Sequence, residues 1–395
     1  MYLLELILLI YFAYVTGYSF LLSFSALFYK NERAPEAKTK RRVAVLIPAY
    51  KEDAVIPGVA ARALNQHYPA DKFDVVVIAD SLKPATLTAL RELPIKVVEV
   101  KFEKSTKVRA LNKAMEVLGD NYHFAVVLDA DNVMESHFLR KMNNLAEIGY
   151  RAIQGRREPK NENNQMAMLD GLSETINNFI YRQGNVALGL SSSLNGSGMF
   201  FEYRTFKSIM SSMDSIGGFD RELEYKLIER NRPVHYAKDI IVYDEKVDNP
   251  EVFERQRKRW ISSQFYYLKK FFSKGVAFLF KGNFNYFNAT VLRNIQLPRL
   301  LNLGLLGLIM IASFVFAGYV NVKPMVWAGL LAANVITMMF AIPSRLYNWK
   351  LLRSVLMVPM VFVKMLSLMF KLKGANKTFI HTPHGQVSHS DPKNI

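Results

Sequence analysis

Three stretches without a charged side chain, residues 6–29, 300–322 and 325–344, constrain this chain more than any other feature. As helices, each is long enough to cross a hydrocarbon layer, which takes roughly 20 residues. The first follows Glu5 and has no basic leader. It also exceeds the roughly 7 to 15 residues of a secretory core, so it is expected to remain as an anchor. Lys30, Arg33, Lys38, Lys40, Arg41 and Arg42 come next. By the positive-inside rule the N-terminus lies outside and the central segment in the cytoplasm, at a plasma (inner) membrane.

The expected organisation follows from these runs. A transmembrane helix covers 1–30, a polar α/β domain 43–260 and an interfacial amphipathic helix 262–281. Transmembrane helices cover 297–322 and 325–344. Pro359 and Lys364 interrupt the last apolar stretch, so 351–372 reads as interfacial or re-entrant, leaving three or four spans, before a cytoplasmic tail over 373–395. On the interfacial helix, Phe265, Leu268, Phe272, Val276 and Leu279 share one face.

The net charge of +17 raises the question of nucleic acid, but the basic residues flank the apolar runs and no nucleic-acid motif is present. Anionic lipid headgroups of a bilayer fit better. With no cysteine, disulfides and thiolate metal sites are excluded.

Residues 43–260 alternate short apolar runs with helical patterns, which predicts an α/β domain with a mostly parallel sheet. The run 43–47 ends at Pro48, 75–78 ends at Asp80, 95–100 is a third strand, and 124–128 ends at Asp129. In open α/β sheets ligands bind outside the carboxyl ends of strands, so the acidic residues there are candidates for a site.

Asp129-Ala130-Asp131 puts two carboxylates on one turn, able to hold a hard divalent cation, Mg2+ or Mn2+, against phosphate oxygens. Alone, such a pair is more often a solvated turn. Its company is Pro48-Ala49-Tyr50-Lys51-Glu52, Asp80-Ser81, and Lys104, Lys107 and Arg109 before Ala110-Leu111-Asn112. Gln256-Arg257-Lys258-Arg259-Trp260 closes the polar region.

In this order the set resembles the family-2 inverting glycosyltransferases of the GT-A fold, in particular the membrane-embedded branch of cellulose, chitin and hyaluronan synthases. The resemblance covers roughly residues 43–260. It implies a UDP-sugar donor contacted by Glu52, Asp80, Lys107, Asp129 and Arg259, and a metal at Asp131 and Asp129. It also implies an acceptor bordered by Gly196, Gly198, Gln256 and Trp260. An arginine fork suits a pyrophosphate and an indole face suits a sugar ring; the alternative is a headgroup contact and an interfacial aromatic. Many members carry Thr-Glu-Asp before a further acidic residue, the aspartate acting as general base. Here the matching stretch runs Asp220-Arg221-Glu222-Leu223-Glu224. Glu222 takes the aspartate's place, Asp220 is its rival, and first-turn carboxylates favoured by the helix dipole are the bland alternative.

The function so implied is inverting, processive synthesis of a β-linked polysaccharide coupled to export, for which few spans would call for a homodimer or an export partner. Transfer of one sugar to a lipid acceptor, ceramide or polyprenyl phosphate, is the alternative within enzymes. A non-catalytic nucleotide-sugar-binding or scaffold subunit is the alternative of another class. His381 and His384 in the tail lack a third ligand nearby and are left out of the site.

Overall fold

The computed structural model describes residues 2–215 and 217–372. The expected tail over 373–395, with its histidines, lies outside the described residues. In chain order the elements are α1 (Tyr2–Ala26), β1 (Val43–Tyr50), α2 (Ile56–Ala63), β2 (Phe73–Asp80), α3 (Pro84–Arg91), β3 (Lys96–Val100) and α4 (Lys107–Leu118). Then follow β4 (Phe124–Val127), β5 (Val133–Met134), α5 (Phe138–Glu147), β6 (Ala152–Pro159), α6 (Gln165–Asn177), α7 (Asn185–Ala187), β7 (Met199–Glu202), α8 (Tyr203–Met210), α9 (Phe219–Glu229) and β8 (His235–Asp244). The last are α10 (Pro250–Phe280), α11 (Phe284–Phe287), α12 (Arg299–Val315), α13 (Pro324–Ala341), α14 (Trp349–Val355) and α15 (Val358–Met369).

Two compact units result: a sheet unit of 30–162 and 191–246, and a helical unit of 2–29, 163–190 and 247–372. The polar domain expected over 43–260 is therefore interrupted. Residues 163–190 carry α6, a π-helical turn over Asn178–Gly184, and α7, and they pack with the helices.

The sheet has eight strands in the order β3-β2-β1-β4-β7-β6-β8-β5. β1 pairs in parallel with β2 and β4, β2 with β3, and β6 with β8. β7 enters antiparallel between β4 and β6, and β5 lies antiparallel on β8. The sheet is therefore mixed, with four parallel pairings and three antiparallel ones, in keeping with the expected α/β class. Along β1, Val43, Val45 and Ile47 join one core cluster while Ala44 and Leu46 join another. Both faces are covered, which is why the strand reads as a continuous apolar run without alternation.

Pro48 does not end β1; it pairs with Ile78 inside the strand. The ladder between β1 and β4 stops at Leu46 and Val127. Leu46 O accepts from Leu128 N–H at 3.0 Å, so residue 48 turns its edge to the same side, beyond the last β4 partner. The missing N–H of proline breaks no ladder bond there.

In the helical unit, three helices are long and apolar enough to cross a membrane by length and composition: Tyr2–Ala26, Pro324–Ala341 and Trp349–Met369, the last covering α14 and α15. Arg299–Val315 is apolar but has 17 residues. Both the helix expected to span over 297–322 and the one expected to be interfacial or re-entrant over 351–372 are thus apolar helices here. Polar groups within these helices bond between helices, as an apolar surround demands: Tyr11 Oη donates to Asn302 Oδ1 at 2.9 Å, Tyr18 Oη to Asn288 Oδ1 at 2.8 Å, and Ser23 Oγ to Thr337 O at 3.0 Å. Gly184 lets the π-helical turn touch α1, since a Cβ there would come within 2.2 Å of Leu22 O.

α10 runs unbroken across the boundary expected at 260. Its packed stripe is Tyr267, Phe271 and Gly275, whereas Phe272, expected on the apolar face, is 46 % exposed. Close approach explains the rotation: a Cβ on Gly275 would lie 2.4 Å from Thr290 Oγ1.

Candidate active site

The candidate residues of the sheet unit gather at the carboxyl ends of β1, β2 and β4. Lys51 and Ser81, the first residues after β1 and β2, adopt left-handed backbone with φ of 56° and 58°. A non-glycine residue there costs on the order of 1–2 kcal/mol, the kind of strain that concentrates at functional sites. Lys51 N–H donates to Asp80 O at 3.1 Å, linking the two turns. Glu52 and Asp80 are both buried, and Asp80 Oδ1 accepts from Ser81 Oγ at 2.9 Å. Asp53, which the motif reading passed over, caps the next turn: its Oδ1 accepts from Lys83 N–H and Thr86 Oγ1, each at 2.7 Å.

The Asp129-Ala130-Asp131 turn is held from several sides. Lys107 Nζ donates to Asp129 Oδ1 at 2.5 Å and to Gly196 O at 2.7 Å, tying the start of α4 to both the turn and the glycine segment. Thr106 caps α4 by accepting from Arg109 N–H at 3.2 Å, which fixes where Lys107 starts. Ser197 Oγ accepts from Asp129 N–H at 2.9 Å. With its amide turned to satisfy both neighbours, Asn132 accepts from Ser197 Oγ at 2.6 Å and donates to the Asp131 carboxylate at 3.0 and 3.2 Å. Glu245 N–H donates to Asp131 Oδ2 at 3.2 Å.

Lys160 donates to the Asp131 carbonyl. Burial pushes its amine below the usual lysine range, against the pull of Asp131, Glu245 and Asp244. Asp244 is paired with Arg157 at 2.9 Å and Lys246 at 2.9 Å. Ser197, Asn132, Lys160 and Asp244 were missed from sequence. Their only signal was position: Ser197 lies between two glycines, Lys160 follows β6, Asn132 precedes β5 and Asp244 ends β8.

Gly196 and Gly198 both take left-handed backbone, with φ of 89° and 61°. A Cβ on Gly198 would approach Val242 Cγ2 to 3.0 Å, so glycine is needed there for conformation and for space. Gln154 spans this loop: its amide nitrogen donates to Ser197 O at 2.9 Å and its oxygen accepts from Asn195 N–H at 3.1 Å.

At the start of α9, the Phe219 ring lies 5.2 Å from Lys107 Nζ, which sets this helix end beside the two-carboxylate turn. Asp220 is half-buried. Glu222 is 4 % exposed and its Oε2 accepts from Ser215 Oγ at 2.8 Å. Glu224 Oε2 accepts from Leu194 N–H at 3.2 Å, a structural use for that carboxylate.

Gln256, Arg259 and Trp260 lie on α10 in the helical unit, all partly buried. One face of the Trp260 indole is already covered: the Arg257 guanidinium sits 4.3 Å from its centroid and 4.6 Å from that of Phe253. The i, i+3 and i, i+4 spacing of these residues was the available signal.

The donor set is two hard carboxylates. Among the described residues no group of three His, Cys, Asp or Glu is placed to hold a metal by itself. Two carboxylates nonetheless fit a magnesium-like ion, which commonly takes one or two protein carboxylates and completes its shell with phosphate oxygens and water.

Comparison with known proteins bears on the family and the fold. Residues 40–263 match the family described as glycosyltransferase-like family 2. A beta-monoglucosyldiacylglycerol synthase of Trichormus variabilis is 26% identical over 234 residues, covering 55% of this chain and 48% of that protein. One from Nostoc sp. matches to the same extent. The chain thus spans about half the length of the curated relatives it matches. Among solved structures, a mannosyltransferase of Pyrobaculum calidifontis in complex with GDP-Man and Mn2+ is similar in fold. It has a TM-score of 0.57 at 16% identity over 90% of this chain and 97% of that one.

Proposed function

As a member of glycosyltransferase-like family 2, the family to which its residues 40–263 assign it, this chain transfers, we propose, one sugar from a nucleoside-diphosphate sugar to a hydroxyl of a membrane lipid. The observation that carries the reading is the convergence of Glu52, Asp80, Lys107, Asp129 and Asp131 at the carboxyl ends of adjacent strands in a GT-A-like fold. The lipid acceptor is favoured by relatives named for a glucosylated diacylglycerol and by helices apolar enough to cross a membrane.

In this proposal Glu52 and Asp80 face the nucleoside and Lys107 neutralises part of the diphosphate. Asp129 and Asp131 would hold a divalent cation, which supplies charge for the departing nucleoside diphosphate. Glu222, or Asp220 in its place, accepts the proton of the acceptor hydroxyl. The acceptor oxygen bonds to the anomeric carbon as the bond to the diphosphate breaks on the opposite face, inverting the configuration to β. Glycines at 196 and 198 give the acceptor backbone to rest against. The roles of Gln256, Arg259 and Trp260 at the pyrophosphate and acceptor rest on their motif.

The second reading, processive synthesis of a β-linked polysaccharide, is favoured by that same motif, in which Gln256, Arg259 and Trp260 match the polysaccharide synthases. Incubating the detergent-solubilised chain with UDP- or GDP-sugars, Mn2+ and diacylglycerol, ceramide or polyprenyl phosphate, and then resolving products by extraction and size, separates the two. A single glycosylated lipid supports the proposal. Long chains formed without lipid replace it with the second reading, and donor left intact in every mixture rejects both.

A further inference from the structure

The helical unit contains a cluster of buried charge that the transfer reaction does not use. Arg182 and Glu174 pair at 2.9 Å, with side chains 5% and 9% exposed. Arg257 pairs with Asp170, their side chains 11% and 9% exposed. The third cation is Arg299, which opens α12. Its Nη2 donates to Ser173 O at 3.0 Å and to Ser173 Oγ at 3.4 Å, both neutral groups. Its Nη1 is buried and has no hydrogen-bond partner among the described residues. The ionisable groups near enough to act on it are Tyr181, Arg257, Glu174 and Arg182. Glu174 is the carboxylate among them, and it is already paired with Arg182.

Such an arrangement is costly. A buried guanidinium whose hydrogen-bond partners are all neutral is penalised by several kcal/mol, and a cation at a helix N-terminus also opposes the helix dipole. Both costs disappear if an anion binds. We propose that Arg299 binds a phosphate group, supplied either by a lipid headgroup or as free phosphate. The guanidinium fork presents parallel N–H groups that match two phosphate oxygens, and Ser173 Oγ is beside it to donate a further bond. Arg299 also heads a 17-residue apolar helix, the position at which a membrane helix meets headgroups. The site is built from contacts inside the helical unit and does not depend on glycosyl transfer.

The test is thermal unfolding of the full chain in neutral detergent, titrated with dihexanoyl phosphatidic acid or inorganic phosphate at constant ionic strength. A saturable rise in midpoint is expected, with at least a tenfold weaker apparent affinity in Arg299→Gln. A response to both probes assigns free phosphate as sufficient, and a response to the lipid alone assigns a headgroup; either supports the site. Ser173→Asp decides the matter even if Arg299→Gln does not fold, because it places a carboxylate beside Arg299. That variant should unfold at a higher temperature without ligand and lose the response. No saturable stabilisation by either probe, or a response in Ser173→Asp equal to that of the unaltered chain, overturns the proposal.

Discussion

His235 makes the fold of the sheet unit sensitive to mild acid. It opens β8, is 8 % exposed, and stacks on Tyr150 with ring centroids 4.0 Å apart at 25°. Its Nε2 is buried without a hydrogen-bond partner among the described residues. Burial pushes the imidazole from 6.5 down to about 4. Between those values the unfolded chain binds a proton that the folded chain refuses. Stability is therefore complete above about pH 6.5 and falls as pH drops toward 4. At roughly 1.4 kcal/mol per pH unit, the full loss is about 3 kcal/mol, of which about 2 kcal/mol has gone by pH 5. His235→Phe keeps a ring against Tyr150 and removes the titration. Urea unfolding of both proteins in detergent at pH 7.5 and 5 should show the unaltered chain losing about 2 kcal/mol more than the variant. Parallel losses in the two would refute the reasoning, because they would mean that His235 is protonated in the folded state or exposed to water.

Gly198→Ala forces a left-handed alanine whose Cβ meets Val242. It should destabilise by about 2 kcal/mol or more in the same unfolding assay and lower transfer by shifting the loop that contacts Lys107 and Asp129. Glu222→Gln keeps the bond from Ser215 but cannot take a proton. Transfer should fall by at least about a hundredfold with donor affinity unchanged, whereas Asp220→Asn giving that pattern instead would move the base to Asp220.

The parts of this fold that were legible in sequence are those where one local signal decides. The strands ending near Asp80 and Asp129 are buried on both faces, so unbroken apolar runs marked them and the carboxylates after them. What escaped depends on pairing. β7 runs antiparallel between β4 and β6, and nothing in Met199 to Glu202 states that direction. Pro48 looked like a strand end because its missing donor matters only where a neighbour exists, and β4 has already stopped pairing there. The segment 163–190 left the polar domain because α6 and the π-helical turn bury Met168, Leu172 and Ile180 with the helices, a choice of partner that a short, moderately polar sequence does not announce. At the site, the two-carboxylate turn was visible as a motif. Asn132 directly follows it, but its other supports, Ser197 and Lys160, come from distant positions and only the fold brings them together.

The central claim is that the turn carrying Asp129 and Asp131 is where a nucleoside diphosphate and a divalent cation bind together. Calorimetric titration of UDP and GDP into the purified chain, with Mn2+ and with chelator, repeated on Asp131→Asn, tests it most directly. Saturable binding of one nucleotide that requires Mn2+ and weakens at least tenfold in the variant is expected. Nucleotide binding that is indifferent to both Mn2+ and Asp131→Asn would contradict the claim.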